Sequence, residues 1–267
     1  MTETQPRTGK RAQRQKAIAD AVMAAGALRI EELAERFSIS LMTVHRDLDD
    51  LEERGILRKS RGVATALAST LVESSIMYRE GLARAEKESI ARTALDYVEP
   101  GQSIFIDDST TVHHLIPLLV EKAPLTVITN SLTAMNMLTG LRGITVIGLG
   151  GSYHNWCTSF MGRMTTDAIT KLRSDIAFIS APSLIGSTIY YQALETVDTK
   201  RAMIDSAAVR VLMLDHTKFG RRALHELASV REFDVVIVDA ATDPDEVERL
   251  RSEDVGVVVA AAESTDE

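Results

Sequence analysis

Seven short apolar runs dominate the second half of the chain. "SIFID", "LTVIT", "ITVIGL", "DIAFIS", "VRVLML", "DVVIV" and "VGVVV" follow one another between residues 103 and 259. Stretches with helical spacing separate several of them: Val112 to Val120, Ser131 to Leu138, Phe160 to Leu172, Thr196 to Ala207 and Pro244 to Arg251. A strand with no polar side is stable only where both faces of its sheet are covered. The alternation therefore predicts an α/β domain built on a mostly parallel sheet with helices on both faces.

Sheets of this kind place ligands outside the carboxyl ends of their strands, on the loops that lead into helices. Those loops read "DDSTT", "TNS", "GLGGS", "SAPS" and "LDHTKFG". They are rich in hydroxyls, amides, glycine and carboxylates, which suits a small, hydroxylated ligand able to carry negative charge. "GLGG" lacks the third spaced glycine and the ribose-binding acid of a dinucleotide fingerprint. Its glycines let the backbone approach a ligand or turn tightly. No cofactor is expected.

A smaller and different domain precedes the sheet. Ile18, Ala21, Val22 and Ala25 form one helical face that Gly26 ends. "RIEELAERF" predicts a second helix, with Ile30, Leu33, Ala34 and Phe37 inward. A tight "SIS" follows, with Ser40 placed to cap a third helix. In that third helix Leu41, Val44, Leu48 and Leu51 fall on one stripe, and Gly55 is a stop. Three short helices with a three-residue turn describe a helix-turn-helix. Ser40, Met42, Thr43, His45 and Arg46 are the candidate contacts to base edges in double-stranded DNA. Arg58, Lys59 and Arg61 lie on a two-stranded wing that suits the phosphate backbone. Asp47, Asp49, Asp50, Glu52 and Glu53 are expected to face away from DNA and to pair with Arg46, Arg54 or solvent. A small bundle that binds another protein is the alternative reading of the same helices, and the basic wing directly after the third helix favours DNA over it.

Charge follows the same division. Residues 1–62 hold 12 Lys/Arg against 10 Asp/Glu, and residues 63–267 hold 18 against 28, within a net charge of -8. A module that tolerates polyanions is thus joined to an acidic body, although solvation of two ordinary surfaces gives the same sums. The single cysteine, Cys157, excludes an intrachain disulfide and reads as inert packing or an incidental thiol. The opening "MTETQPRTGKRAQRQK" has no apolar core, and no apolar run is long enough to span a bilayer. No membrane is expected, and a cytoplasmic setting is. The boundaries expected are a disordered basic tail over 1–14, a winged helix-turn-helix over 15–62, a linker over 63–75 and the larger α/β domain over 76–260.

The residues from Arg14 to Gly62 resemble the amino-terminal domain of the DeoR family of bacterial transcription regulators. The family pattern of Ser, two variable residues, Thr, an aliphatic residue, then Arg-Arg-Asp-Leu falls on Ser40 to Leu48, with His45 in place of the first arginine. "SRGVAT" stands where relatives often carry a His-Gly-Gly stretch. The second domain resembles the family's sensing half. Its Asp-Ser-Gly-Thr-Thr falls on Asp107, Asp108, Ser109, Thr110 and Thr111. Thr129, Asn130 and Ser131 are intact, as are Gly150 and Gly151. Lys200 precedes the late helix, and Asp215 to Gly220 carry the Asp, Ser, x, Lys, Phe, Gly run with His216 as a departure. The resemblance implies a sugar-phosphate isomerase-like fold that senses a phosphorylated sugar or polyol. It also implies control of a nearby catabolic operon, usually by repression that the metabolite relieves.

The effector-binding candidates are Asp107, Asp108, Ser109, Thr110, Thr111, Asn130, Ser131, Gly150, Gly151, Lys200, Asp215 and Lys218. Asp107 and Asp108, adjacent at a strand end, are expected to point to opposite sides, so they do not share a substrate proton. Asp107 is expected to accept sugar hydroxyls, and Asp108 is a second acceptor or a solvated loop charge. Ser109 to Thr111 open a helix whose free N–H groups attract an anion or are simply capped. Lys200 and Lys218 are placed to add charge-assisted bonds to that anion. His113 and His114 are adjacent on a helix and face different ways, so one packs and one is exposed, with no metal. A regulator needs two DNA modules, hence a homodimer or homotetramer. The alternative is a sugar-phosphate isomerase-like enzyme fused to the module, with Asp107, Glu195 or Asp198 as base. No constellation fixes any of these beside a reacting carbon, so no catalytic residue is assigned.

Overall fold

The computed structural model of the chain describes residues 11, 14, 15, 17–19, 21, 22, 25–53, 56–66 and 79–262. The chain divides into two compact units, residues 1–79 and 80–267.

In the first unit the described residues between 11 and 25 are helical. They are followed by β1 (Ala27–Arg29), α1 (Ile30–Arg36), α2 (Leu41–Glu53), β2 (Leu57–Ser60) and β3 (Val63–Ala66). β3 pairs antiparallel with both β2 and β1. This is a winged helix-turn-helix. The β2–β3 turn holds only Arg61 and Gly62, with φ of 51° and 78°. Both central residues of a type I′ hairpin need positive φ, and the glycine takes its share without strain. Ile18, Val22, Ile30, Leu33, Val44, Leu48 and Leu51 fill the core.

Four expectations are corrected here. Val63 to Ala66 is the second strand of the wing, whereas the linker was expected to begin at residue 63. The rest of that linker, residues 67–75, lies outside the described residues, as do Arg54, Gly55 and residues 1–10. Arg11 and Arg14, assigned to a disordered tail, are helical and form ion pairs. Leu41 was placed on the inward stripe but is 48% exposed, because it opens α2 before the helix reaches the core. Ala25 is exposed at the other end of its helix for the same kind of reason.

The second unit is a seven-stranded sheet in the order β15-β14-β12-β9-β4-β5-β6, parallel at every pairing. Its strands are β4 (Ser103–Ile106), β5 (Leu125–Thr129), β6 (Ile144–Gly148), β9 (Ser174–Ser180), β12 (Ala207–Leu214), β14 (Val235–Asp239) and β15 (Gly256–Ala260). These are the seven apolar runs. Successive residues feed two separate cores, as the pleat requires. Ile104, Ile106, Ile176, Phe178, Val211 and Met213 point to one core. Phe105, Ala177, Ile179, Leu212 and Leu214 point to the other. Helix α3 (Arg84–Leu95) covers the first core, with Ile90, Ala91, Ala94 and Leu95 buried. On the second side lie α6 (Arg163–Ile169), α7 (Leu194–Asp205) and α8 (Pro244–Arg251).

The connections are more broken than their spacing suggests. The 112–120 stretch is a four-residue helix, α4 (Thr110–His113), followed by a 3-10 helix at Ile116–Lys122. α5 (Leu132–Leu138) matches its expectation. Phe160, expected in a helix, sits on β8 (Ser159–Met161), which pairs with β7 (Ser152–His154). A small antiparallel sheet of β10 (Ser183–Ile185), β11 (Thr188–Tyr191) and β13 (His225–Ser229) was not foreseen.

Candidate functional sites

On the winged helix-turn-helix, Ser40 caps α2 as expected, its Oγ accepting from Thr43 N at 3.2 Å. Met42, His45 and Arg46 are exposed along the first turns and Thr43 is half-buried. The acidic side of α2 is used differently from the expectation. Asp47 is 1% exposed and accepts from Arg14 Nε at 2.6 Å and from Gln15 Nε2 at 3.2 Å. Asp50 accepts from Gln15 Nε2 at 2.7 Å and pairs with Arg11. The preceding helix, not Arg46, therefore neutralises this face, and Arg46 stays on the surface. Lys59 pairs with Asp49, and its backbone N–H donates to Glu52 Oε1 at 2.9 Å. Lys59 thus ties the wing to α2 instead of standing free for phosphate, while Arg58 and Arg61 are exposed.

In the second unit the topology itself selects one crevice. From β4 the sheet continues through β5 and β6 on one side and through β9, β12, β14 and β15 on the other. Ile106 is the Cα partner of both Thr129 and Phe178. The loops after β4, β5 and β9 therefore meet where the winding reverses, which is where open parallel sheets bind ligands.

Asp107 stands at this point, 0% exposed. Its Oδ1 accepts from the Ser109 N–H at 2.9 Å and from Ser109 Oγ at 2.5 Å. Its Oδ2 accepts from the Ser180 N–H at 2.9 Å and from Lys200 Nζ at 2.5 Å. A carboxylate has about four lone-pair sites, and all are filled from within the protein. Asp107 holds the site together and is not the hydroxyl acceptor it was expected to be. Asp108 Oδ1 lies 2.7 Å from the same Lys200 Nζ. The two carboxylates converge because β4 ends at Ile106, so strand alternation no longer applies to them. Asp108 is 4% exposed, which removes the solvated-loop alternative.

Burial works against the charge on Lys200, but Asp107 and Asp108 outweigh it and the pKa is raised. The ammonium also lies 5.2 Å from the centroid of the Tyr191 ring. Burial raises the pKa of Tyr191, whose hydroxyl donates to the Ser180 carbonyl. Lys218 is seated likewise, 3.5 Å from Asp215 Oδ2, while Asp215 Oδ1 accepts from the Thr217 N–H at 3.0 Å. Each lysine assigned to an anion is thus already beside a carboxylate. His216 pairs with Asp239, ring Nδ1 to Oδ1 at 3.1 Å.

The rest of the cluster is neutral and polar. Ser109 caps α4, accepting weakly from Val112 N at 3.4 Å. Thr110 and Thr111 are buried behind it. Asn130 is 1% exposed and its Nδ2 donates to the Phe160 carbonyl at 2.9 Å, yet its Oδ1 is buried without a hydrogen-bond partner among the described residues. Ser131 Oγ caps α5 and meets His113 Nε2 at 3.1 Å. His113 is therefore the packing histidine. His114 is half-buried rather than exposed, and burial followed by the charge of Lys87 lowers its pKa. A Cβ at Gly151 would lie 2.6 Å from the Met161 carbonyl oxygen and closer still to Thr165 Oγ1. Glycine is needed there for the approach of β8 and α6. Gly150 has open space at that position and its carbonyl accepts from Thr165 Oγ1 at 2.9 Å. Glu195 and Asp198, offered as bases, are exposed on α7. Cys157 is buried.

Lys87 escaped the sequence reading. It is 0% exposed, and its Nζ donates to Thr110 Oγ1 at 3.1 Å. The signal was present: Lys87 is three residues before Ile90 and seven before Ala94, on the buried stripe of α3. A lysine on an apolar stripe marks a charge that the interior uses. Nearby, a cavity of about 470 Å³ is lined by Arg84, Glu88, Arg92, Thr110, His114 and Met137, among others.

No helix of the described residues is long and apolar enough to cross a membrane. Residues 14–70 match the DeoR-like helix-turn-helix domain, and residues 82–240 match the DeoR C terminal sensor domain. The chain is 34% identical over 233 residues to the glycerol-3-phosphate regulon repressor of Escherichia coli (strain K12), covering 86% of this chain and 92% of that one. It is 31% identical over 239 residues to the lactose phosphotransferase system repressor of Staphylococcus aureus (strain N315), covering 88% and 94%. Among solved structures it is similar to eIF2B beta from Chaetomium thermophilum, with a TM-score of 0.43 and 11% identity over 85% of this chain and 77% of that chain. For ribose 5 phosphate isomerase A from Neisseria gonorrhoeae the TM-score is 0.37, with 14% identity over 51% and 53%. With a winged reading head and a sensor domain each matched in order along one chain, this protein belongs to the DeoR family of transcriptional regulators.

Proposed function

We propose that the protein is a repressor of a carbohydrate or polyol catabolic operon, released from its operator by a phosphorylated sugar-type metabolite. The carrying observation is the exposed row of Met42, His45 and Arg46 on α2, opening from the Ser40 cap and flanked by Arg58 and Arg61 on the wing. This row enters the major groove while the wing arginines bind phosphate. His45 offers one donor and one acceptor where an arginine offers a bidentate fork, so the base it reads differs from that of an Arg-bearing relative. Two modules on a homodimer or homotetramer span an operator in the cytoplasm.

The effector sits in the crevice at the ends of β4, β5, β9 and β12. The names of the two relatives, a glycerol-3-phosphate regulon repressor and a lactose phosphotransferase system repressor, support a phosphorylated carbohydrate. In this reading the phosphate lies on the Lys87–Thr110 side with Thr111, away from the carboxylates. The buried Asn130 Oδ1 accepts an effector hydroxyl, which gives that orphan acceptor its partner. Lys200, Asp107, Asp215 and Lys218 hold the walls.

Fluorescence anisotropy with DNA from upstream of the protein's own gene tests the reading, at moderate salt and with glycerol 3-phosphate, galactose 6-phosphate and ribose 5-phosphate added in turn. Sequence-specific binding weakened by one of these is expected. Binding no tighter than to scrambled DNA would sink it.

A further inference from the structure

The buried stripe of α2 is Val44, Asp47, Leu48 and Leu51. At about 100° per residue, Met42 points nearly opposite to the middle of that stripe. His45 and Arg46 flank it, roughly 60° and 40° away on the same scale. Met42 is 65% exposed. Leu41, about 100° round from Met42, lies at the edge of the buried stripe. The hydroxyls of this turn face each other, with Ser40 Oγ and Thr43 Oγ1 2.9 Å apart. The tip of the reading face is therefore a thioether, set between an imidazole and a guanidinium.

Single exposed apolar side chains are common on protein surfaces. The position of this one is what matters. It opens the helix, where a reading helix meets base edges. Arg46 beside it and Arg58 and Arg61 on the wing are exposed, which gives the surface the charge that holds a polyanion. Asp49, further out along the same line of the helix, is paired with Lys59.

What a methionine can read in the major groove follows from its atoms. It has no donor, and its sulfur is a weak acceptor. Guanine, cytosine and adenine present polar edges there, which a methionine strips of water without replacing their hydrogen bonds. Thymine alone presents a methyl group, at C5. Contact with that methyl hides apolar surface of both partners from water. The thymine O4 beside it is an acceptor within the repertoire of His45 and Arg46.

We infer that Met42 is a specificity-determining residue of the reading helix, selecting a thymine in each operator half-site through its C5 methyl group. This rests on the operator reading above and names a base that reading leaves open.

Duplexes enriched from a random-sequence library by the full-length protein test it. Each thymine of the enriched site is replaced in turn by uracil, which deletes the methyl and leaves O4 and the pairing edge in place. Kd is read by fluorescence anisotropy at fixed salt. At one or two positions per half-site, uracil is expected to weaken wild-type binding about threefold to fivefold, the worth of one buried methyl. Met42→Ala is expected to bind the thymine and uracil sites equally there, and Leu41→Ala to keep the wild-type discrimination. Met42 is exposed and alanine is the best helix former, so the variant keeps its fold. An enriched site with no fixed thymine, or one at which uracil changes nothing for the wild-type protein, would overturn the proposal. So would discrimination that persists undiminished in Met42→Ala, since the methyl is then felt by another residue or through the shape of the DNA. Failure to enrich any sequence removes the operator reading itself, and the proposal with it.

Discussion

Asp47 and Asp107 are almost equally hidden, at 1% and 0% exposure, and are held in opposite ways. The cations on Asp47 are Arg14 and Arg11, whose side chains keep 29% and 52% of their exposure. The cation on Asp107 is Lys200, at 3%. A half-wet arginine retains much of its hydration, so the Asp47 pair is a tie between helices. At Asp107 both charges have left water, and neither is tolerable without the other. Burial of a carboxylate alone does not identify a ligand site. Burial of its counter-ion, at a place where the sheet reverses, is the informative part.

Lys200→Met is the sharpest way to break this contrast. It takes the shared ammonium away from two buried carboxylates and should cost about 3–5 kcal/mol of sensor-domain stability, read by urea unfolding. Asp47→Ala should cost less, about 1–3 kcal/mol, and only in the transition of the first unit, because Arg11 and Arg14 can return to water. Equal costs would mean that counter-ion exposure does not matter. Arg46→Ala should weaken operator binding by about 1–3 kcal/mol in a titration, with stability changed by no more than about 0.5 kcal/mol. That would separate the reading surface of α2 from its tie to the preceding helix.

The smallest effect belongs to Asp175, which joins the start of β9 to β4. The Ser103 N–H donates to it at 2.7 Å and lowers its pKa below the ordinary range. A carboxyl whose folded value is lowered contributes stability above its unfolded value of about 4, and loses it as pH falls through the folded value. Asp175→Asn should therefore be slightly less stable than wild type at pH 7, with the gap narrowing as pH falls below the unfolded value of about 4. The check is the urea midpoint followed from pH 7 downward.

The seven sheet strands could be read directly because a strand buried on both faces must be an unbroken apolar run. β7, β8, β10 and β11 could not, since short strands such as "SYH" and "SFM" have no room for a period. Phe160 shows the cost, placed by spacing in a helix and found on β8. The loops of the candidate site are legible from strand order alone, but the contacts within them are not. The Oδ2 of Asp107 is filled by partners 73 and 93 residues away, Ser180 and Lys200. No local pattern announces that a lone pair is taken. Lys59 fails for the same reason, being drawn to Asp49 across the wing.

The reversal of winding at β4 also bears on how a bound molecule is felt. One half of the sheet comes from residues 103–148 and the other from residues 174–260. A molecule in the crevice spans the seam between a half made early in the chain and a half made late. Such a molecule acts as a staple, and its grip resists parting of the two halves more than it stiffens either one. Amide exchange on β4, β5 and β9 should slow together when it binds, while β15, at the far edge, exchanges as before.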